Sequence, residues 1–320
     1  MDLTQWVLWG AAVVLGGVAT VYRPWGLWAA ARVTATPFLT LGAIISAAAF
    51  ADHLGLFKAM ARLLIPSKSS ALAAVAAVLG FTALLSGLVN LDVAVVVAMP
   101  LSLRVASRTG LSAGLLAAGI AVTANATSFL LPTSNVTTLL ILTRASGRTV
   151  DYLAGSWIAW IFVTVLTVAA LSLVLVTSRG RRAPVAVQGG VKLRAIIDLV
   201  PLFFAASAIR TLLAPGVWLH GSFIEQLSWG SVFGATVNNL PAAAAIHASG
   251  ATNVWAAILA LSIGPNMLFT GSVATLICRR IARDSGAKLS ALPFSALGIG
   301  LLPAQVAVAY VGLHLTDALR

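Results

Sequence analysis

Apolar runs long enough to cross a bilayer recur along the whole chain, separated by short basic stretches. Trp6–Tyr22 and Val33–Leu56 each predict a span, the second followed by an interfacial stretch with Lys58, Arg62 and Lys68. Ala71–Ala106 is too long for one span and is interrupted by Val89, Asn90, Leu91 and Asp92. It predicts a re-entrant hairpin with Asn90 and Asp92 at its tip. Leu111–Leu142 predicts a span broken at Pro132, and Tyr152–Val176 a full span. The polar stretch Thr177–Arg194, rich in Gly, Pro, Gln and basic residues, then reads as a flexible linker. Beyond it the order returns. Ala195–Leu213 is a span, Phe223–Ala248 a hairpin with Val237, Asn238, Asn239, Leu240 and Pro241 at its tip, Val254–Ile281 a second broken span, and Leu292–Leu315 a last span.

The two broken segments align at an offset of 137, with Leu131/Leu268, Thr133/Thr270, Val136/Val273, Thr138/Thr275, Leu139/Leu276 and Ala145/Ala282 identical. A hairpin that enters and leaves by one face does not cross, so each half crosses an odd number of times and the second half is inverted. The expected fold is therefore an all-α polytopic membrane protein of two inverted-topology repeats, each with a re-entrant hairpin and a broken transmembrane helix. Residues 1–32 form a first span and loop, 33–177 repeat 1, 178–194 a cytoplasmic linker and 195–320 repeat 2. Paired broken helices at corresponding places mark the solute site of a secondary transporter. A helix broken in lipid strands backbone groups that only protein or a wet cavity can satisfy.

Composition agrees with the pattern: 60% of residues are hydrophobic and 9% charged, with a mean hydropathy of +1.00. The net charge of +12 does not point to nucleic acid, because the basic residues fall in short loops. With the linker in the cytoplasm, fourteen basic residues fall on that side and six on the other, which places the chain in the cell (inner) membrane with its amino terminus inside and its carboxyl terminus outside. Trp6–Tyr22 lacks a basic residue before it and a small-residue cleavage site after it, so it reads as a span and not a signal peptide. The single cysteine, Cys278, and four scattered histidines give no metal-ligand spacing, and no metal or other cofactor is expected.

Of the eight acids, only Asp92 sits deep in an apolar stretch. An acid there is read as the carrier of a coupling proton, or as a ligand to a coupling cation. The structural alternative is that it caps the second arm of the hairpin. Thr133, Ser134, Asn135 and Thr137 beside Pro132, and Thr270, Gly271, Ser272 and Thr275 in the matching place, are read as solute-binding groups. A helix restarting there offers free N–H groups to an anion or a polar hydroxide, and the carbonyls freed at Pro132 and Pro265 suit a cation such as sodium. Asn90, Asn238 and Asn239 at the tips, with Asn125 and Asn266 just before the breaks, complete the site or satisfy one another. No arginine is expected at mid-span, which argues against a bidentate clamp on a di- or tricarboxylate.

The stretch ANATSFLLPTSNVT at Ala124–Thr137, and GPNMLFTGSVATL at Gly264–Leu276, resemble the broken-helix motifs of the ion transporter superfamily. Ser134, Asn135 and Thr137 are similar to the signature of its divalent anion:sodium symporters. The second stretch, with the tips Asn90-Leu91-Asp92 and Asn238-Asn239-Leu240-Pro241 and the segment Tyr22–Leu27, looks like the ArsB-type arsenical pump membrane proteins. That resemblance implies proton-coupled arsenite or antimonite efflux, alone, as a homodimer or with an ATPase partner. Related branches imply sodium-coupled di/tricarboxylate transport or sodium/proton antiport. An intramembrane enzyme is disfavoured, because the chain lacks His-Glu-x-x-His, Gly-x-Ser-x-Gly and a partner acid for Asp92.

Overall fold

A computed structural model describes residues 3–56, 59, 69–142, 152–178, 200–213, 219–246 and 252–319. Most of the predicted linker and the stretch carrying Lys58, Arg62 and Lys68 lie outside these residues. Every regular element among the described residues is helical: α1 Leu3–Tyr22, α2 Pro24–His53, α3 Ala71–Leu88, α4 Leu91–Thr109, α5 Ala113–Ala126, a 3₁₀ turn Pro132–Ser134, α6 Val136–Leu142, α7 Tyr152–Thr177, α8 Val200–Leu212, α9 Phe223–Val237, α10 Asn239–Ala245, α11 Val254–Ile263, a 3₁₀ turn Gly264–Met267, α12 Val273–Asp284 and α13 Ala291–Leu315. Among the described residues, α3, α7 and α13 are long and apolar enough to cross a membrane.

Local chemistry sets the boundaries. Ser70, Ser112 and Asn253 cap α3, α5 and α11 by accepting from Ala73, Leu115 and Ala256 N–H. Ser222 and Glu225 form a reciprocal capping box at α9. Gly110 closes α4 at φ 71°, the left-handed position that glycine takes without strain. Two boundaries differ from the sequence expectation. Only Arg23 separates α1 from α2, because Pro24 starts a helix well and the alanines after it continue one, so the expected loop before Val33 is helical. The second arm of the first hairpin runs to Thr109, beyond the expected end at Ala106, so Arg108 is a helical residue and not a loop residue.

The order hairpin, broken helix, long helix appears twice: α3–α4, α5/α6, α7, then α9–α10, α11/α12, α13. The hairpins are unequal. The arms of the first have 18 and 19 residues, about 27 Å each at the usual helical rise, and those of the second have 15 and 7.

Packing interleaves the halves. One hydrophobic cluster joins α3, α4 and α5 to α12 from the other half, and a second joins α9, α10 and α11 to α6. Each helix restarted after a break thus packs on the hairpin and the first half-helix of the opposite half. Ala124 belongs to the first cluster and Ala126 to the second, while Ile263 belongs to the second and Val273 to the first. The seam between the clusters therefore runs through both breaks. The long helices α7 and α13 lie against each other. The missing side chain of Gly312 lets it contact the Ala159 backbone, and Gln305 Nε2 donates to Thr167 Oγ1 at 2.8 Å.

Candidate functional site

Both hairpin tips reach the breaks by the same contact. At the first, Asn90 Oδ1 accepts from Asp92 N–H at 2.9 Å, and Asn90 Nδ2 donates to the Thr133 carbonyl at 3.3 Å. At the second, Asn238 Oδ1 accepts from Leu240 N–H at 3.2 Å, and Asn238 Nδ2 donates to the Thr270 carbonyl at 2.8 Å. Thr133 and Thr270 are the aligned threonines, and both are exposed. One amide thus starts the second arm and ties the tip to the break. Asn239 adds a backbone donation to the Gly271 carbonyl at 2.8 Å, and its side chain donates to the Leu261 carbonyl at 3.4 Å.

The restarted helices are capped in register. Asn135 Oδ1 accepts from Thr137 N–H at 3.0 Å, and Ser272 Oγ accepts from Ala274 N–H at 3.2 Å. Ser134 turns back to the Leu131 carbonyl, and Asn135 Nδ2 donates to Ser128 Oγ at 2.9 Å. Gly271 folds so tightly that a side chain there would overlap the Pro265 carbonyl.

Asn125 and Asn266 face each other across the seam, Asn125 in the last turn of α5 and Asn266 inside the second break, not ahead of it. Asn125 Nδ2 donates to Asn266 Oδ1 at 2.9 Å and to Thr275 Oγ1 at 3.2 Å, and Asn266 Nδ2 donates to the Val122 carbonyl at 3.1 Å. Asn125 Oδ1 and Thr137 Oγ1 are buried with no partner among the described residues, so they can still accept from or donate to a solute.

Asp92 is half-buried at the second position of α4. The cap is Asn90, not Asp92, which corrects the structural alternative. No group among the described residues bonds its carboxylate, which lies in the first helical turn, where a negative charge is favoured.

The stranded carbonyls of the first break have partners that the sequence reading missed. Tyr152 hydroxyl, Ser156 Oγ and Trp160 Nε1 donate to the carbonyls of Phe129, Leu130 and Thr127, each at 2.8 Å. These donors stand four residues apart on one face of α7, a polar stripe that spacing could have revealed. They occupy carbonyls that a cation would otherwise use, which narrows the expected ion ligands there to the Pro132 end of the break. A second omission is Arg279 on α12, whose guanidinium carbon lies 5.4 Å from the centre of the Phe269 ring. A long side chain leaning toward the start of its helix places this charge beside the Phe269 ring.

Among the described residues, no three His, Cys, Asp or Glu side chains gather to hold a metal ion. No curated protein matches the chain. The family model described as "CitMHS: Citrate transporter" matches residues 3–309, and that family is a member of the ion transporter superfamily to which the break motifs pointed.

Proposed function

Since the chain belongs to the CitMHS citrate transporter family, and so is a multi-pass membrane protein of a secondary-transporter family, we propose that it moves a small carboxylate anion held between the two breaks. The observation that carries this reading is the matched pair of tip-to-break bonds, Asn90 to Thr133 and Asn238 to Thr270. Two hairpins tied to two breaks at aligned residues give one site two gates. The halves act as inverted repeats, and movement of one packed cluster against the other along the seam exposes the site alternately. Thr133, Thr137 and Thr270, with the amino terminus of α12 at Ser272, supply donors to the anion. Asp92, beside the first tip, carries the coupling proton. The protein lies in the inner membrane with its amino terminus in the cytoplasm.

A second reading keeps the ArsB-like resemblance: proton-coupled efflux of arsenite or antimonite. The exposed threonine hydroxyls and the unpartnered Asn125 Oδ1 favour it, because a neutral hydroxide needs both donors and acceptors. Against it, Cys278 is buried and stands alone as a thiol, while a soft metalloid prefers several.

The test is flux in proteoliposomes under an imposed pH gradient, with citrate, succinate, arsenite and sodium supplied in turn. Citrate or succinate uptake driven by the gradient without sodium supports the first reading. Arsenite movement without carboxylate movement replaces it with the second. Flux that requires sodium reassigns the coupling ion.

A further inference from the structure

α1 and α8 contribute no residue to either hydrophobic cluster, and α2 contributes only Ala49 and Ala51 near its far end. These three helices pack on one another instead, with α8 against both α1 and α2. At one corner α1 stops at Tyr22, α2 starts at Pro24 and α8 ends at Leu212. Gly26 lets these ends close up. A side chain there would lie 3.2 Å from Thr211 Cγ2 on α8 and 3.3 Å from Arg23 Cβ. Arg210 directly precedes Thr211, so this contact brings Arg23 and Arg210, 187 positions apart in the chain, to the same corner.

The corner is positive, with no acid to neutralise it. Arg210 is half-buried, and its Nη1 is buried with no partner among the described residues. A guanidinium nitrogen taken out of water without an acceptor is costly, and an anion beside it offsets that cost. Arg23 is exposed and forms no ion pair among the described residues. The only acid in α1, α2 or α8 is Asp52, about 40 Å along α2 from Pro24. Glu225, the next acid after α8, already accepts from the Ser222 N–H and hydroxyl. The rings around the corner select the kind of anion. Tyr22, Trp25 and Trp28 are all exposed. Trp25, Trp28 and Arg32 follow at spacings of three and four, along one face of α2. The Arg32 guanidinium carbon lies 5.2 Å from the centre of the Trp28 ring, one turn nearer the helix start. Exposed Trp and Tyr rings beside arginines at the ends of spans belong at the level of the lipid headgroups.

We propose that Arg23 and Arg210 bind the phosphate of an anionic phospholipid, whose glycerol and upper acyl chains lie against Trp25 and Trp28. Guanidinium groups match phosphate oxygens in geometry as well as charge. Two of them favour a headgroup whose phosphate is not already neutralised by an amine of its own, which selects phosphatidylglycerol over phosphatidylcholine. α8 also packs on α10, the short arm that begins at the second hairpin tip, so the lipid braces the frame behind that hairpin. The assignment holds whichever solute the protein carries.

The experiment measures the melting temperature of the full chain in an uncharged detergent, with phosphatidylglycerol, phosphatidylcholine or inorganic phosphate added at equal concentration. Native mass spectrometry counts the lipid retained. The wild type is compared with Arg23→Gln, Arg210→Gln and, as a control, Arg283→Gln, an exposed arginine on α12. A ligand that binds only the folded state raises the melting temperature. The wild type is expected to melt several degrees higher with phosphatidylglycerol than with phosphatidylcholine, and to be unmoved by inorganic phosphate. Arg23→Gln and Arg210→Gln should each lose at least half of that difference, together with the retained lipid, while Arg283→Gln keeps both. Equal shifts with the two lipids overturn the proposal. A full shift with inorganic phosphate alone also overturns it, because the corner would then take a dissolved anion. So does a loss in Arg283→Gln as large as that in Arg210→Gln, because the preference would then follow overall charge. Should Arg210→Gln not fold, the exposed Arg23 decides: a full preference for phosphatidylglycerol in Arg23→Gln overturns the assignment.

Discussion

Asn125 Nδ2 lies 2.9 Å from Asn266 Oδ1, and the two residues are 141 positions apart in the chain. Both side chains are buried, and the same Asn125 amide nitrogen also reaches Thr275. The bond links α5 of one half to the second break of the other, at the seam where the two hydrophobic clusters meet. Together with the donation from Asn266 Nδ2 to the Val122 carbonyl, it ties the two broken segments to each other.

Replacing Asn125 with alanine leaves Asn266 Oδ1 without its donor in a buried place. The expected loss is about 1–3 kcal/mol of stability, read as a lower melting temperature in detergent. A double-mutant cycle with Asn266→Ala should give a coupling energy well above the few tenths expected of independent sites. Additive losses would mean that the amides do not act as a pair.

The second tip is strained where the first is not. Asn238 sits at φ 78° and ψ 142°, while Asn90 is extended at φ −170°. Such a backbone costs a non-glycine residue about 1–3 kcal/mol. Asn238→Gly should therefore relieve the backbone while removing the donation to Thr270, so melting changes little and transport falls sharply. Asn90→Gly has no strain to relieve and should lose stability as well as transport. Equal melting changes in the two variants would contradict the assigned difference.

Asp92→Asn keeps the shape of the tip and removes the titratable group. Solute accumulation driven by a pH gradient should collapse to the level seen without one, while the solute KM stays within about threefold. Full gradient-driven accumulation in this variant would remove Asp92 from the coupling step.

The stripe on α7 makes a separate prediction. Trp160→Phe keeps an aromatic ring but leaves the Thr127 carbonyl without its donor, as Tyr152→Phe does for Phe129. Each should cost about 1–3 kcal/mol, read as a melting shift. Solute affinity should change less, because these residues hold the break from behind.

Gly298→Ala tests the packing of α13 on the second break, since an added side chain there would overlap the Asn266 carbonyl. A loss of about 1–3 kcal/mol is expected, as for other overpacked sites. A melting temperature equal to that of the wild type would show that the break yields easily.

Much of this protein was legible before any coordinates. Hydropathy alone marks the class, because a chain in lipid must satisfy its backbone within its own segments, and runs of span length leave little choice but helices. The positions of both hairpin tips and both breaks followed from Asn90, Asn238, Pro132 and Gly271, since amides, proline and glycine punctuate apolar helices for local reasons. What sequence could not decide was which polar groups remain for a solute. Asn135 and Ser272 serve as helix caps, Asn125 and Asn266 bind each other, and the carbonyls of the first break belong to Tyr152, Ser156 and Trp160. Those pairings join residues as many as 150 positions apart, and only the interleaving of the two halves brings them within bonding distance. The turn of Arg279 onto Phe269 is of the same kind. Helix direction allows it, but the place of the ring, fixed by Phe294 on another helix, decides it.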